Sequence, residues 1–264
     1  MSRLHALILA LLLAPLPAAA QFAVNVTPAR FELQAKPGQV LRESLDIGND
    51  DLGVADFILR TSDWTLNRDG GVEFQPDILA PDSCRPWVRI ERFKVRVGGK
   101  SRRKYRFEVH VPADARDGLC RFALLIEQGS IAAQISPIEN IQMPLQGRVG
   151  VIVYVRVGNA RPAITVERLA IEPVNGRPTP VAFLRNEGTA QGRAEGVLEG
   201  ADAKGRNFEL VVSPLPVLPG ETRRIPLWPQ EPDSARKEPL SPPFRIKGTI
   251  EWEGGQAKVD TQVP

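Results

Sequence analysis

IENIQMPLQGRVGVIVYVRV, residues 138–157, alternates. Its odd positions Ile141, Met143, Leu145, Val149, Val151, Val153, Val155 and Val157 are apolar, while the even ones include Gln142, Gln146, Arg148 and Arg156. A period of two is the signature of a strand with one buried face. At about 3.3 Å per residue, residues 141–157 would reach roughly 55 Å, about three times an ordinary strand, so the run is expected to cross from one domain edge toward a second domain. Gly147 and Gly150 weaken its middle. Pro144 cannot donate to a ladder, which places the first half on an edge or at a bulge. An apolar-faced edge strand is a template for pairing with another chain.

Working outward, the residues on both sides read the same way. Residues 22–33 form a first strand in two pieces that change parity at Pro28, and residues 40–47 form a second strand after a Lys36-Pro37-Gly38-Gln39 turn. Residues 57–66 are a third strand, closed by a tight turn at Arg68-Asp69-Gly70-Gly71. Residues 87–97 alternate with one slip at Glu91-Arg92 that suggests a bulge, residues 105–111 alternate cleanly, and residues 119–127 are near-continuously apolar, as in a central strand. Residues 129–137 read as a loop. After a linker at 158–162, further strands are expected at 164–171, 181–185, 192–198, 207–212, 222–227 and 244–253, with a Pro-rich extended loop at 228–243. The fold class is therefore all-β, two sandwich domains in tandem. A weak internal repeat supports this: an apolar strand ends in Asn at Asn49 and again at Asn186, and a Gly turn feeds a basic strand at Gly98-Gly99 and at Pro219-Gly220.

Composition narrows the function. The basic start at Arg3, the apolar run 4–16 and the small residues Ala18-Ala19-Ala20 make residues 1–20 a secretory signal peptide with cleavage after Ala20, since Pro15 and Pro17 interrupt a run already too short to span a bilayer. The expected domains are then residues 21–158 and 159–264. Cleavage leaves 244 residues and removes one charge, Arg3, so the formal net charge falls from +3 to +2, too small an excess for nucleic-acid binding. No later run is long enough for direct membrane insertion. Cys84 and Cys120 are the only cysteines, and an even count in an exported chain makes one disulfide the default over a reactive thiol or metal ligand. His110 is the sole histidine of the mature chain and has no nucleophile elbow beside it. With neither a P-loop nor a dinucleotide glycine pattern, no enzyme, cofactor or metal is expected.

The chain resembles the periplasmic chaperones of pilus assembly by the chaperone-usher route, most specifically over residues 24–49 (VNVTPARFELQAKPGQVLRESLDIGN) and the long strand. The resemblance implies two immunoglobulin-like domains set at an angle, with an edge strand late in the first that fills the groove of a subunit lacking its own last strand. Ile141, Met143 and Leu145 match the alternating donor triplet. Arg30 matches a cleft arginine that holds the subunit's C-terminal carboxylate. Counted without a gap, the family's second cation falls on Gly150, and Arg148 stands two residues earlier on the same face. Pro144 inside the triplet, the unusual cysteine pair and the lack of the family's acid-arginine pattern mark a divergent member. The partner implied is an exported pilin-like or other incomplete β-sandwich subunit, and the resemblance leaves open whether an outer-membrane usher takes part.

Each of these residues also has an ordinary reading. The triplet could cover its own sandwich core, Arg30 and Arg148 could be solvated cations worth little, and Arg102, Arg103, Lys104 and Arg106 fit an exposed strand end. An extracytoplasmic immunoglobulin-like adhesion or scaffold protein, its edge strand permanently covered, is the competing class.

Overall fold

Pro28 divides the first strand between two sheets, and the rest of the first sandwich follows from that division. The computed structural model describes residues 24–129, 132–135, 142–145, 147–230 and 240–264, with backbone alone at 132–135 and 142–145. The expected signal peptide and Ile141 lie outside the described residues. In chain order the strands are β1 (Val24–Thr27), β2 (Arg30–Ala35), β3 (Val40–Asn49), β4 (Ala55–Leu66), β5 (Val72–Gln75), β6 (Val88–Ile90), β7 (Lys94–Val97), β8 (Ser101–His110) and β9 (Gly118–Gln128). They continue as β10 (Ala132–Ile135), β11 (Gln142–Leu145) and β12 (Arg148–Val157). One sheet has the order β1-β3-β8-β6; the facing sheet runs β2-β12-β9-β4, with β5 and β7 pairing opposite ends of β4. β1 is antiparallel to β3, whereas β2 lies parallel to β12.

The alternating residues fill the space between these sheets. Leu45, Ile47, Tyr105, Phe107, Phe122, Leu124, Val151 and Val153 are buried there, with Phe107 edge-to-face on both Phe31 (5.3 Å) and Phe122 (6.2 Å). Each such side chain contributes about 1.5–3 kcal/mol by leaving water. The expected disulfide is present. Cys84–Cys120 spans 36 residues with a Cα separation of 5.4 Å and ties the loop before β6 to β9, where the Arg121 amide also bonds the Asp82 carbonyl.

Three expectations need correction. The slip at Glu91-Arg92 is not a bulge in one strand: the chain crosses from β6 in one sheet to β7 in the other. The Tyr105 hydroxyl pins the crossing by donating to the Arg92 carbonyl (2.7 Å), and burial pushes its pKa up to about 12. Residues 129–137 are not simply a loop, because β10 lies within them. The long strand is two strands, β11 and β12, broken at Gly147. β12 pairs with β9 along its whole length and with β2 from Ile152 to Val157, so that part of the run is interior rather than edge. Alternation could not reveal the break, since two residues separate β11 from β12 and parity is kept.

The second sandwich contains β13 (Ile164–Val174), β14 (Arg177–Asn186), β15 (Gly192–Arg193), β16 (Val197–Ala201), β17 (Asn207–Val212), β18 (Pro216–Val217), β19 (Thr222–Pro229), β20 (Phe244–Trp252) and β21 (Gly255–Val263). The main path is β13-β14-β19-β17-β16-β20-β21. β19 joins its two halves, pairing β14 through Pro226 and β17 from Leu227 onward, and the resulting layers enclose Leu184, Leu198, Leu210, Ile225 and Ile246. β13 and β14 extend beyond their expected ends because Asn175-Gly176, both at positive φ (51° and 76°), forms a tight hairpin turn.

The asparagines of the internal repeat do equivalent work in the two sandwiches. Asn49 donates through Nδ2 to the carbonyls of Gly53 (2.7 Å) and Val97 (3.2 Å), and its Oδ1 accepts from the Asp51 amide (3.0 Å). Asn186 donates to Ala190 (2.8 Å) and Val217 (2.8 Å) and accepts from Gly188 (2.9 Å). In both, the bonds run to the carbonyl four residues on, to a carbonyl just before the Gly turn, and from the amide two residues on. The repeat is structural.

Candidate functional site

β11 pairs antiparallel with β10 alone, Ala132 opposite Leu145 and Gln134 opposite Met143, in a two-stranded sheet of its own. Among the described residues it shares no ladder with either sandwich. Met143 and Leu145 occupy alternate positions on it, and Pro144 stands opposite Ala133. One edge of the β11 backbone is therefore without a strand partner among the described residues. Ile141, the first of the triplet, lies outside them.

The sandwich sheet beyond this ribbon carries the two predicted cations. Arg30 opens β2 in register with Ile152, and Arg148 opens β12 in register with Glu127. Positions 148 and 152 share parity, so both arginines project from the outer face, opposite the core valines. Four residues, about 13 Å along the strand, separate their levels. Each already has an acid partner. Arg30, half-exposed, bonds Glu32 through Nε (3.0 Å), and Glu32 also receives Arg193 of the second sandwich (3.2 Å). Arg148 bonds Glu127 through Nε (2.6 Å), and the same Glu127 oxygen takes Arg60 of β4 (2.8 Å). Glu127 is only 5% exposed. Two guanidinium groups on one buried carboxylate offset its desolvation and leave the cluster with one excess positive charge.

Gly150, where the resemblance implies a second cation, has no room for one. A Cβ there would lie 2.0 Å from Cζ of Phe74, so the ring of β5 occupies the place of a side chain. Arg60 is a further cation of this face that sequence reading did not single out. It sits in the row of Gly150, opposite Leu125, and only the pairing of β4 with β9 brings it there.

No family model matches this chain, and no curated protein sequence matches it. Solved structures similar to it include the YadV chaperone (7% identity, TM-score 0.48, covering 91% of this chain and 100% of that one). The CupB2 chaperone of Pseudomonas aeruginosa is similar at 12% identity and TM-score 0.45, covering 91% and 100%. The E. coli chaperone DraB is similar at 12% and 0.45, covering 91% and 98%.

The outer face of the sheet continues into contacts with the second sandwich. Trp64 and Tyr154 meet edge-to-face at 5.5 Å, with Leu218 of the second sandwich packed against them. Arg121 lies over Trp64 (5.1 Å) and Arg193 over Tyr154 (5.8 Å), and burial raises the Tyr154 pKa. Arg30 thus lies in the strand row next to a closed aromatic contact. Elsewhere, His110 is exposed at the end of β8 and bonds Glu108 (2.7 Å), and Arg102, Arg103, Lys104 and Arg106 lie on exposed positions of β8.

Proposed function

We propose that this chain is a periplasmic chaperone for exported fimbrial or pilus-like subunits, a binding protein rather than an enzyme. It donates the β11 edge to the open groove of a subunit and anchors the subunit's C-terminal carboxylate with Arg30 and Arg148. The observation that carries this reading is the separation of β11 from both sandwich sheets. A strand that, among the described residues, pairs with neither sandwich sheet can add to a client without breaking either of them, supplying ladder bonds and alternate side chains together. Residues 1–20 fit export to the compartment where such a client would be met, and the Cys84–Cys120 bridge suits an oxidising one.

The cations fit the anchoring role unequally. The Arg30–Glu32 pair is exposed, so an incoming carboxylate competes with it at little cost. Arg148 is held through Nε, and a guanidinium has further donors to offer. The test is co-purification of tagged protein with its client from the periplasm, alongside thermal unfolding. Met143→Glu is expected to fold normally and lose the client, whereas Val153→Glu, at a fully buried position, should unfold. Arg30→Ala should keep the melting temperature and weaken capture. If Met143→Glu unfolds as Val153→Glu does, or still captures the client, the donor reading is wrong.

A further inference from the structure

β4 carries a gap in its outer edge. β7 covers its residues Ala55 to Ile58, and β5 covers Asp63 to Leu66. Among the described residues no strand lies outside 60–62. Leu59 donates its amide outward to Phe93 (2.8 Å), so two residues on the amide and carbonyl of Thr61 point the same way, into the gap. The gap opens on a groove of about 360 Å³ between β4 and β6.

The groove is basic. Arg60, Arg85 and Arg89 line it, and no acidic side chain does. Arg60 leans to Glu127 and Arg85 to Asp63 (3.4 Å), both outside the lining, while Arg89 donates to the carbonyls of Pro86 and Val88 (3.1 Å each). The rim is apolar and wet. Phe93, 73% exposed, lines one side with Val88, Ile90 and Pro76, and Ile78, whose carbonyl holds Arg85 (2.6 Å), is exposed beside it. Exposed apolar side chains gathered at one groove mark an interaction site.

We infer that this groove binds an extended acidic segment of a partner protein, one that alternates carboxylate and apolar side chains. Its backbone pairs with Thr61, its carboxylates meet the arginines, and its apolar side chains cover Phe93 and Ile78. The charge of the lining selects the occupant: Arg85 is balanced by Asp63, but Arg60 shares Glu127 with Arg148 and Arg89 bonds only carbonyls, so the positive charge left at the groove attracts carboxylates and disfavours a basic segment. The groove is distinct from β11, so a partner here can be held while a client occupies the ribbon.

The test uses the full mature chain and short peptides, acetylated and amidated so that no terminal carboxylate is available to Arg30 or Arg148. One peptide alternates Glu with Val and Phe, and a control replaces each Glu with Lys. Fluorescence anisotropy should show saturable binding of the Glu peptide, weakened by added salt. Arg89→Glu and Phe93→Ala, both at exposed positions, should keep the wild-type melting temperature and weaken binding by about tenfold or more. Met143→Glu should leave it unchanged. Absence of saturable binding, equal binding of the Lys peptide, or wild-type affinity in both groove variants would overturn the inference. So would self-association of the wild-type chain that Phe93→Ala abolishes, because a second copy would then be the occupant.

Discussion

Gly150 is the residue at which this chain departs most from the pattern it resembles. Its missing side chain is required, because the Phe74 ring stands where a Cβ would be, 2.0 Å away. Gly150→Ala should therefore push the ring and β5 outward and cost about 1–3 kcal/mol in urea unfolding. Restoring a cation with Gly150→Lys should be at least as damaging and should not strengthen client capture. A Gly150→Ala protein as stable as wild type would mean that Phe74 moves freely, and the place would then be open. Sequence counting pointed to this position and could not say what filled it. Phe74 is 76 residues away in the chain, on a strand that the pattern did not reveal.

At the scale of the element, the two Asn staples decide how each sandwich closes its end. Asn186 is fully buried, with both Nδ2 bonds and both Oδ1 bonds made to backbone. Asn186→Ala leaves two buried carbonyls and two amides without that partner, at a cost of about 2–4 kcal/mol. Asn49→Ala should lose less, since three of its four bonds, to the Gly53 and Gly98 carbonyls and from the Asp51 amide, are only partly buried, against two of four for Asn186. Chemical denaturation of the two variants checks the order. Equal and negligible losses would reduce the repeat to coincidence. The elements themselves were largely legible: β9 as a central strand, β17 at 207–212, the parity change at Pro28. Sheet membership was not, because alternation reports which face is buried and is blind to which neighbour supplies the ladder.

For the whole molecule, the relation between the sandwiches rests on the turn between β4 and β5. Arg224 of the second sandwich, 10% exposed, bonds Asp69 (3.2 Å) and Glu172 (2.5 Å), Arg68 reaches the same Glu172 (2.9 Å), and Arg223 donates to the Asn67 carbonyl (3.1 Å). Gly70, at φ 87°, lies against Leu215. Arg224→Ala removes the side chain that bonds both Asp69 of the first sandwich and Glu172 of the second, so small-angle scattering should show a broader range of interdomain angles. The unfolding free energy should fall modestly, by about 1–3 kcal/mol. Unchanged scattering would assign the angle to the Trp64–Tyr154–Leu218 contact instead. Arg156 with Glu253 (2.6 Å) and Arg193 with Glu32 (3.2 Å) span the same junction, and added salt should weaken the exposed Arg68–Glu172 pair before the more buried Arg224–Glu172 pair.

The sequence by itself determined the all-β class, the tandem sandwiches and the cysteine pair, because burial on one face and turn chemistry are local and written in residue order. Only the tertiary structure decided that the long alternating run is two strands with different partners, that Arg148 and Arg60 share Glu127, and that Phe74 closes Gly150. Those outcomes depend on which distant segments lie side by side. Pairing between β4, β9 and β12 brings residues 60, 127 and 148 together across a sheet, and no periodicity within one strand carries that information.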